Sequence, residues 1–180
     1  MSDREPTRPQ YLDSVSKPGP TTAESVDGPA LIGWREWVAF PDWGVDAMKA
    51  KIDTGARTSA LHAYDLEEFD RDDQRWARFV VHPWQRNDDD AQVVEAVLVD
   101  QRHVTSSSGA KSLRPVVRAV IDLAGSPHEI DVTLTRRDEM GFRMLLGRKA
   151  MAGRYLIDPS LSYVTGRPDR STRRRNRGRS

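Results

Sequence analysis

Between residues 29 and 166 the apolar positions fall in short runs broken by turn residues, the pattern of strands more than of helices. Runs at 32–40 and 45–52 are separated by Pro41-Asp42-Trp43-Gly44, a strong turn signal. Runs at 75–82 and 93–99 predict a second hairpin across the polar stretch 83–90. A third pair, 113–123 and 128–135, turns at Ala124-Gly125-Ser126-Pro127. In its second arm Ile130, Val132 and Leu134 alternate with Glu129, Asp131 and Thr133, the period of a half-buried strand. One short helix is expected from Arg148, after Gly147, ending by Gly153, followed by a short run at 155–157 that stops at Asp158-Pro159. Many short strands with regular turns predict an all-β domain, a closed barrel or sandwich with one short C-terminal helix.

The two ends differ from this middle. Residues 1–29 hold five of the eleven prolines and few large apolar side chains, so ordering them has little burial to offset its entropy; this tail is expected to be disordered. No apolar segment of signal-peptide type follows the start, and no later run is long enough to span a bilayer. Residues 167–180 carry seven arginines against one aspartate, a net of +6, while the whole chain is +1. That end is expected to be a second disordered tail, either solvated or touching a weak acidic or RNA partner. The chain has no cysteine, which excludes disulfides and thiolate chemistry and suits a reducing compartment; a cytoplasmic location is expected.

The chemistry concentrates in Lys51-Ile52-Asp53-Thr54-Gly55-Ala56, where an apolar strand end delivers an aspartate into a Thr-Gly turn. The same residues also fit an ordinary turn between two strands. Two further pieces accompany it: the small, polar hairpin tip Val104-Thr105-Ser106-Ser107-Ser108-Gly109-Ala110, and Met144-Leu145-Leu146-Gly147-Arg148.

In this order the three pieces resemble the retropepsin-like fold, with the aspartate loop, a flap, and the apolar-apolar-Gly-Arg segment behind the active-site loop. A closer resemblance is to the bacterial retropepsin-like family labelled "ATP-dependent zinc protease" and associated with ATP-grasp peptide ligases. Residues 33–37, 49–63 and 142–151 carry it, with Ile157-Asp158-Pro159 before Ser162-Tyr163. Neither cofactor in that label is supported by the residues. His62, His82, His103 and His128 are scattered without a His-Glu-x-x-His, and Gly109-Ala110-Lys111-Ser112 lacks the spacing of a phosphate loop. No metal and no cofactor are expected.

The resemblance implies an aspartic endopeptidase built as a homodimer, since one copy of the motif supplies only half of a carboxylate pair. It assigns Asp53, Thr54 and Gly55 to catalysis, the Gly55 N–H holding the carboxylates coplanar and the Thr54 hydroxyl linking the two loops. Ala56, Arg57, Ser106, Ser107, Ser108, Gly109 and Ala110 would contact an extended peptide, and Gly147 and Arg148 would support the loop. The Ser/Gly run also fits a plain mobile loop. Viral members of the fold carry an acidic residue where Arg57 stands, so Arg57 and Arg148 each need another acceptor, for example Asp138, Glu139 or Asp158. A positive cleft would suit acidic peptides, such as the glutamate-rich tails that ATP-grasp ligases add. Residues 64–92 read as a charged insertion, and 155–157 as a strand of the dimer interface. The alternative is a catalytically silent peptide-binding module with the same fold.

Overall fold

The computed structural model describes residues 28–105, 109, 111–135 and 141–178, so the expected disorder of the first 27 residues lies outside it. Eleven strands and two short helices follow one another along the described chain. They are β1 (Ala30–Gly33), β2 (Arg35–Phe40), β3 (Val45–Asp53), β4 (Ser59–His62), β5 (Tyr64–Arg71), β6 (Gln74–Val81), β7 (Gln92–Thr105), β8 (Lys111–Leu123), β9 (Ser126–Thr135), β10 (Met144–Gly147), α1 (Arg148–Met151), β11 (Tyr155–Asp158) and α2 (Arg170–Arg175). The domain is mostly β, as the patterning predicts.

Nine strands form one sheet in the order β2-β3-β10-β4-β9-β8-β7-β6-β5, and it curls far enough that β2 also meets β8 at Ala39↔Asp122. Alternation sorts the side chains. On β3, Met48, Ala50 and Ile52 are buried while Lys49, Lys51 and Asp53 lie on the other face. The core gathers Phe40, Met48, Leu61, Phe79, Ile121, Leu134 and Leu146, all at most 1% exposed.

The stretch 64–92 is not a bare insertion. It supplies β5 and β6, a hairpin that turns on Asp72 and Asp73 at φ 51° and 58°. Aspartate tolerates this left-handed backbone, and a two-residue turn of that hand matches the twist of the strands. β5 escapes a periodicity reading because it is a sheet edge, with Asp65, Glu67, Glu68 and Asp70 all exposed.

A two-stranded parallel sheet pairs β1 with β11. Its connection to the main sheet rests on Glu36, which is fully buried. One carboxylate oxygen accepts from the Gly33 N–H (2.7 Å) and the Val164 N–H (2.9 Å). The other accepts from the N–H (3.3 Å) and hydroxyl (3.0 Å) of Thr165. A buried charge is tolerated when its lone pairs are used in this way.

The expected disorder of 167–180 is corrected for its described part. Residues 170–175 are helical because Asp169 caps α2, accepting from the Thr172 N–H (2.9 Å) and the Ser171 and Thr172 hydroxyls. The helix then docks on the 83–90 segment. Arg175 pairs with Asp90 at 2.8 Å, the Gln85 N–H donates to Asn176, and Thr172 and Asn176 are buried. Sequence reasoning saw only charge there, since the acceptors for this end lie some eighty residues earlier. Asp88 is likewise engaged, with Arg143 (2.9 Å) and His82 (3.1 Å).

Two outcomes test this. Glu36→Ala should destabilise the fold by about 3 kcal/mol in urea denaturation, because several N–H donors lose their acceptor in a dry site. The hydrogen bonds to Asp169 hold its pKa well below the ordinary 3.8. Its support of α2 is therefore complete above that value and disappears as pH falls through the lower folded one. The protection factors of the α2 amides against hydrogen exchange should fall as Asp169 is protonated in acid, and Asp169→Ala should lower them at neutral pH.

Candidate active site

Asp53 ends β3, and the chain then leaves the sheet in a loop that rejoins it at β4. The carboxylate turns back over this loop. Its Oδ1 accepts from the backbone N–H groups of Gly55 (3.0 Å) and Ala56 (3.1 Å), so the Gly55 contact expected from sequence is present within one chain. A Cβ at Gly55 would stand 3.2 Å from that oxygen.

β10 lies between β3 and β4, parallel to the first and antiparallel to the second. The register sets Gly147 beside Asp53. A Cβ on Gly147 would lie 2.5 Å from the Thr58 carbonyl carbon, so only glycine lets the loop close down on this strand. Arg148 then clamps the loop, its Nη1 donating to the carbonyl oxygens of Thr54 (2.6 Å) and Gly55 (2.9 Å). The backbone N–H groups of Arg148 and Lys149 donate to Ala56 and Arg57. Among the described residues Arg148 thus meets backbone carbonyls and not Asp158. Asp158 is used instead by the N–H and hydroxyl of Ser160, and Asp138 and Glu139 lie outside the described residues.

Asp53 borders a cleft of about 860 Å³. Lys51, Arg57, Arg102 and Arg114 line it, and among the described residues Asp53 is the one carboxylate in the lining. Ala56 is also in the lining, whereas Thr54 and Gly55 are not. Arg57 is exposed there and, among the described residues, no hydrogen bond or ion pair of its side chain is found. The arms of the β7–β8 hairpin reach the cleft through His103, Val104, Thr105 and Arg114. Ser106, Ser107, Ser108 and Ala110 lie outside the described residues; Gly109 is exposed at φ 83°.

Sequence reasoning did not single out Arg102, Arg114, Asp131 or Lys149. Arg102 and Arg114 face each other across β7 and β8, a like-charge pairing that costs energy unless each cation is served. Arg102 donates to Asp100 (2.6 Å), to Thr58 Oγ1 in the aspartate loop (3.0 Å) and to Asp131 (3.2 Å). Asp131, with its side chain 7% exposed, also takes Lys149 at 2.8 Å. The Lys149 hydrogen bond, then that of Arg102, holds its pKa below the ordinary value against the opposing effect of burial. No local motif announces such a cluster, because three separate strands and α1 supply it. Of the cleft cations, Arg57 was expected from sequence, and Lys51 stands two residues before Asp53 and so on the same strand face.

The histidines stand apart. His62 stacks on Tyr64 (4.2 Å), His82 meets Asp88, His103 borders the cleft, and His128 Nε2 lies 3.1 Å from the Ala150 carbonyl. Among the described residues no group of three His, Cys, Asp or Glu is placed to hold a metal ion.

The family model described as retropepsin-like aspartic endopeptidase RimB matches residues 31–168. The chain belongs to this RimB-like family. Its retropepsin-like character agrees with the resemblance carried by the Asp53 loop and the Gly147-Arg148 segment. Two proteins named "Probable alpha-L-glutamate ligase" are also similar. That of Shewanella pealeana is 45% identical over 140 residues, 78% of this chain and 31% of that protein. That of Parasynechococcus marenigrum is 45% identical over 139 residues, 76% of this chain and 29% of that one. The chain thus spans less than a third of the length of these curated relatives. A crystal structure of a Legionella pneumophila protein of unknown function superposes with a TM-score of 0.64 at 29% identity, over 76% of this chain and 98% of that one.

Because the Gly147 contact is backbone against backbone, Gly147→Ala should cost about 2 kcal/mol in denaturant titration, with no relief from side-chain repacking. Asp131→Asn should lower stability at neutral pH and flatten the fall of the stability curve toward acid. Its depressed pKa gives stability that is present above the ordinary aspartate value and lost as pH falls through the folded one, so native and variant curves should converge in acid.

Proposed function

We propose that the chain is an aspartic endopeptidase, active as a homodimer, that hydrolyses acidic or glutamate-rich peptides. The observation that carries this reading is Asp53: a carboxylate oriented by two backbone N–H groups at the rim of a cleft whose other charged lining residues, among those described, are cationic. One carboxylate cannot both activate water and protonate a carbonyl. A second copy brought up across a two-fold axis supplies the other, and the two then share one proton because both cannot ionise cheaply at close range. The ionised member takes a proton from water as it attacks the peptide carbonyl, and the protonated member donates to the carbonyl oxygen. Thr54, exposed at the loop tip, would meet its twin there, while the β7–β8 hairpin would close over an extended substrate through main-chain hydrogen bonds.

The small β1–β11 sheet supports the dimer. Leu31 and Leu156 are register partners on it and are 46% and 59% exposed, which suits an apolar face covered by a second copy. The substrate class is supported by Lys51, Arg57, Arg102 and Arg114 in the cleft, and by relatives named for glutamate ligation. A functional link to an ATP-grasp peptide ligase follows as part of the same proposal.

Two measurements test it. Asp53→Asn should abolish cleavage of a glutamate-rich peptide while leaving the melting curve in place. Leu31→Asp with Leu156→Asp should shift the sedimenting species to monomer and remove cleavage together with it. A monomeric native chain at working concentration, or cleavage that survives Asp53→Asn, would overturn the dyad; binding without turnover in the native chain would leave the peptide-binding module. Arg57→Gln should slow cleavage of acidic peptides relative to neutral ones of equal length; equal rates would remove the acidic preference.

A further inference from the structure

The family match ends at residue 168, and α2 begins beyond it. This helix has two unlike faces. Thr172, Arg175 and Asn176 turn toward the 83–90 segment and are used there. Arg170, Arg173, Arg174 and Arg177, at the i, i+3, i+4, i+7 spacing of one helical face, line a separate concavity of about 420 Å³. The single carboxylate of this segment, Asp169, is engaged by Ser171 and Thr172 at the cap. A run of like charges on one face is destabilising in isolation, and its field attracts a polyanion.

The arginine face does not stand alone. Lys49 on the outer side of β3 lies over Trp37 and Tyr163, and Arg35 and Arg167 also lie over Tyr163. Arg167, which shares the Tyr163 ring with Lys49, stands three residues before Arg170 at the start of α2, and the Lys49 pKa is lowered by partial burial and then by Arg35, Arg177, Arg86 and Arg167. From Lys49 the same strand face continues through Lys51, which lines the cleft, to Asp53. Four residues of strand cover about 13 Å.

We propose that the arginine face of α2 and the outer face of β3 form a docking track for an acidic polypeptide whose other end lies in the Asp53 cleft. The track rests on the endopeptidase reading only for which part of the ligand enters the cleft. An acidic peptide is favoured over a nucleic acid on two grounds. Lys49 and Lys51 carry positive charge along β3 into the Asp53 cleft, with Asp46 and Asp122 bordering the same region as Trp37 and Arg167. The aromatic rings beside them, Trp37 and Tyr163, already carry Lys49, Arg35 and Arg167, which compete with a stacking base. The track fixes a length requirement: a short acidic peptide fills the cleft alone, whereas a longer one reaches α2.

The test measures binding with the full-length Asp53→Asn chain, so that the probe stays intact. Fluorescein-labelled oligoglutamates of about 12 and about 4 residues are compared, the longer able to extend roughly 40 Å. Arg170→Gln/Arg173→Gln/Arg177→Gln should raise the Kd of the long peptide about tenfold and leave that of the short one unchanged. Arg170→Lys/Arg173→Lys/Arg177→Lys, which keeps the charge, should retain most of the affinity and shows that loss in the glutamine variant is not unfolding of α2. Equal Kd for both lengths, or a long-peptide Kd indifferent to the glutamine variant, overturns the track. So does a single-stranded RNA of matched charge that binds more tightly than the long peptide and is released by the same substitutions. Cleavage by the native chain is read separately. Its absence, with the length dependence intact, sinks the endopeptidase reading and supports docking; its presence with an unchanged Kd sinks docking alone.

Discussion

The backbone of the Asp53 loop is pressed against Gly147 with no space for a side chain, and the arrangement of the cleft follows from that contact. The parallel register of β3 and β10 puts the glycine beside the aspartate, and the antiparallel register of β10 and β4 brings the returning loop over it. Arg148, the next residue, then meets the carbonyls of Thr54 and Gly55 from below. With the carbonyls held on one side, the N–H groups of Gly55 and Ala56 are left facing Asp53 on the other. One small residue and one guanidinium therefore orient a carboxylate that neither of them touches.

The parts of this arrangement written in local sequence were legible. Asp53-Thr54-Gly55 is a turn on a strand end, and Met144-Leu145-Leu146-Gly147-Arg148 is an apolar run stopped by a residue without a side chain. Three hairpins were readable because their turns carry Pro, Gly or Asp and their arms bury one face. β4 and β5 were not. β4 is only four residues long, and β5 exposes most of its side chains and so shows no alternation. The partners of Arg148 were misplaced because a search among carboxylates cannot anticipate backbone carbonyls as acceptors. The order of α2 was missed for a related reason: Asp90, Gln85 and Asn87 sit far away in sequence, and the composition of an arginine-rich end says nothing of them.

Charge in this protein is sorted by location more than by amount. The chain is nearly neutral, yet among the described residues one groove is lined by four Lys and Arg side chains and a single carboxylate. Asp131 makes this tolerable from behind. It draws Arg102 and Lys149 together with a side chain almost out of solvent, leaving Arg102 free to reach Thr58 as well. Positive potential is thus built into the sheet, where strand register holds it in place, and not left to flexible surface side chains. Trp37 and Tyr163 do the same for the neighbouring face, giving Arg35 and Lys49 aromatic rings to lie on.

The turn at Asp72 and Asp73 ends the sheet with β5, whose outer rim bears Asp65, Glu67, Glu68 and Asp70. An open rim would ordinarily template a stranger's backbone, and in a concentrated solution that leads to fibrils. Here an approaching strand must bring its carbonyls up to a row of carboxylates, so accretion along this side is resisted.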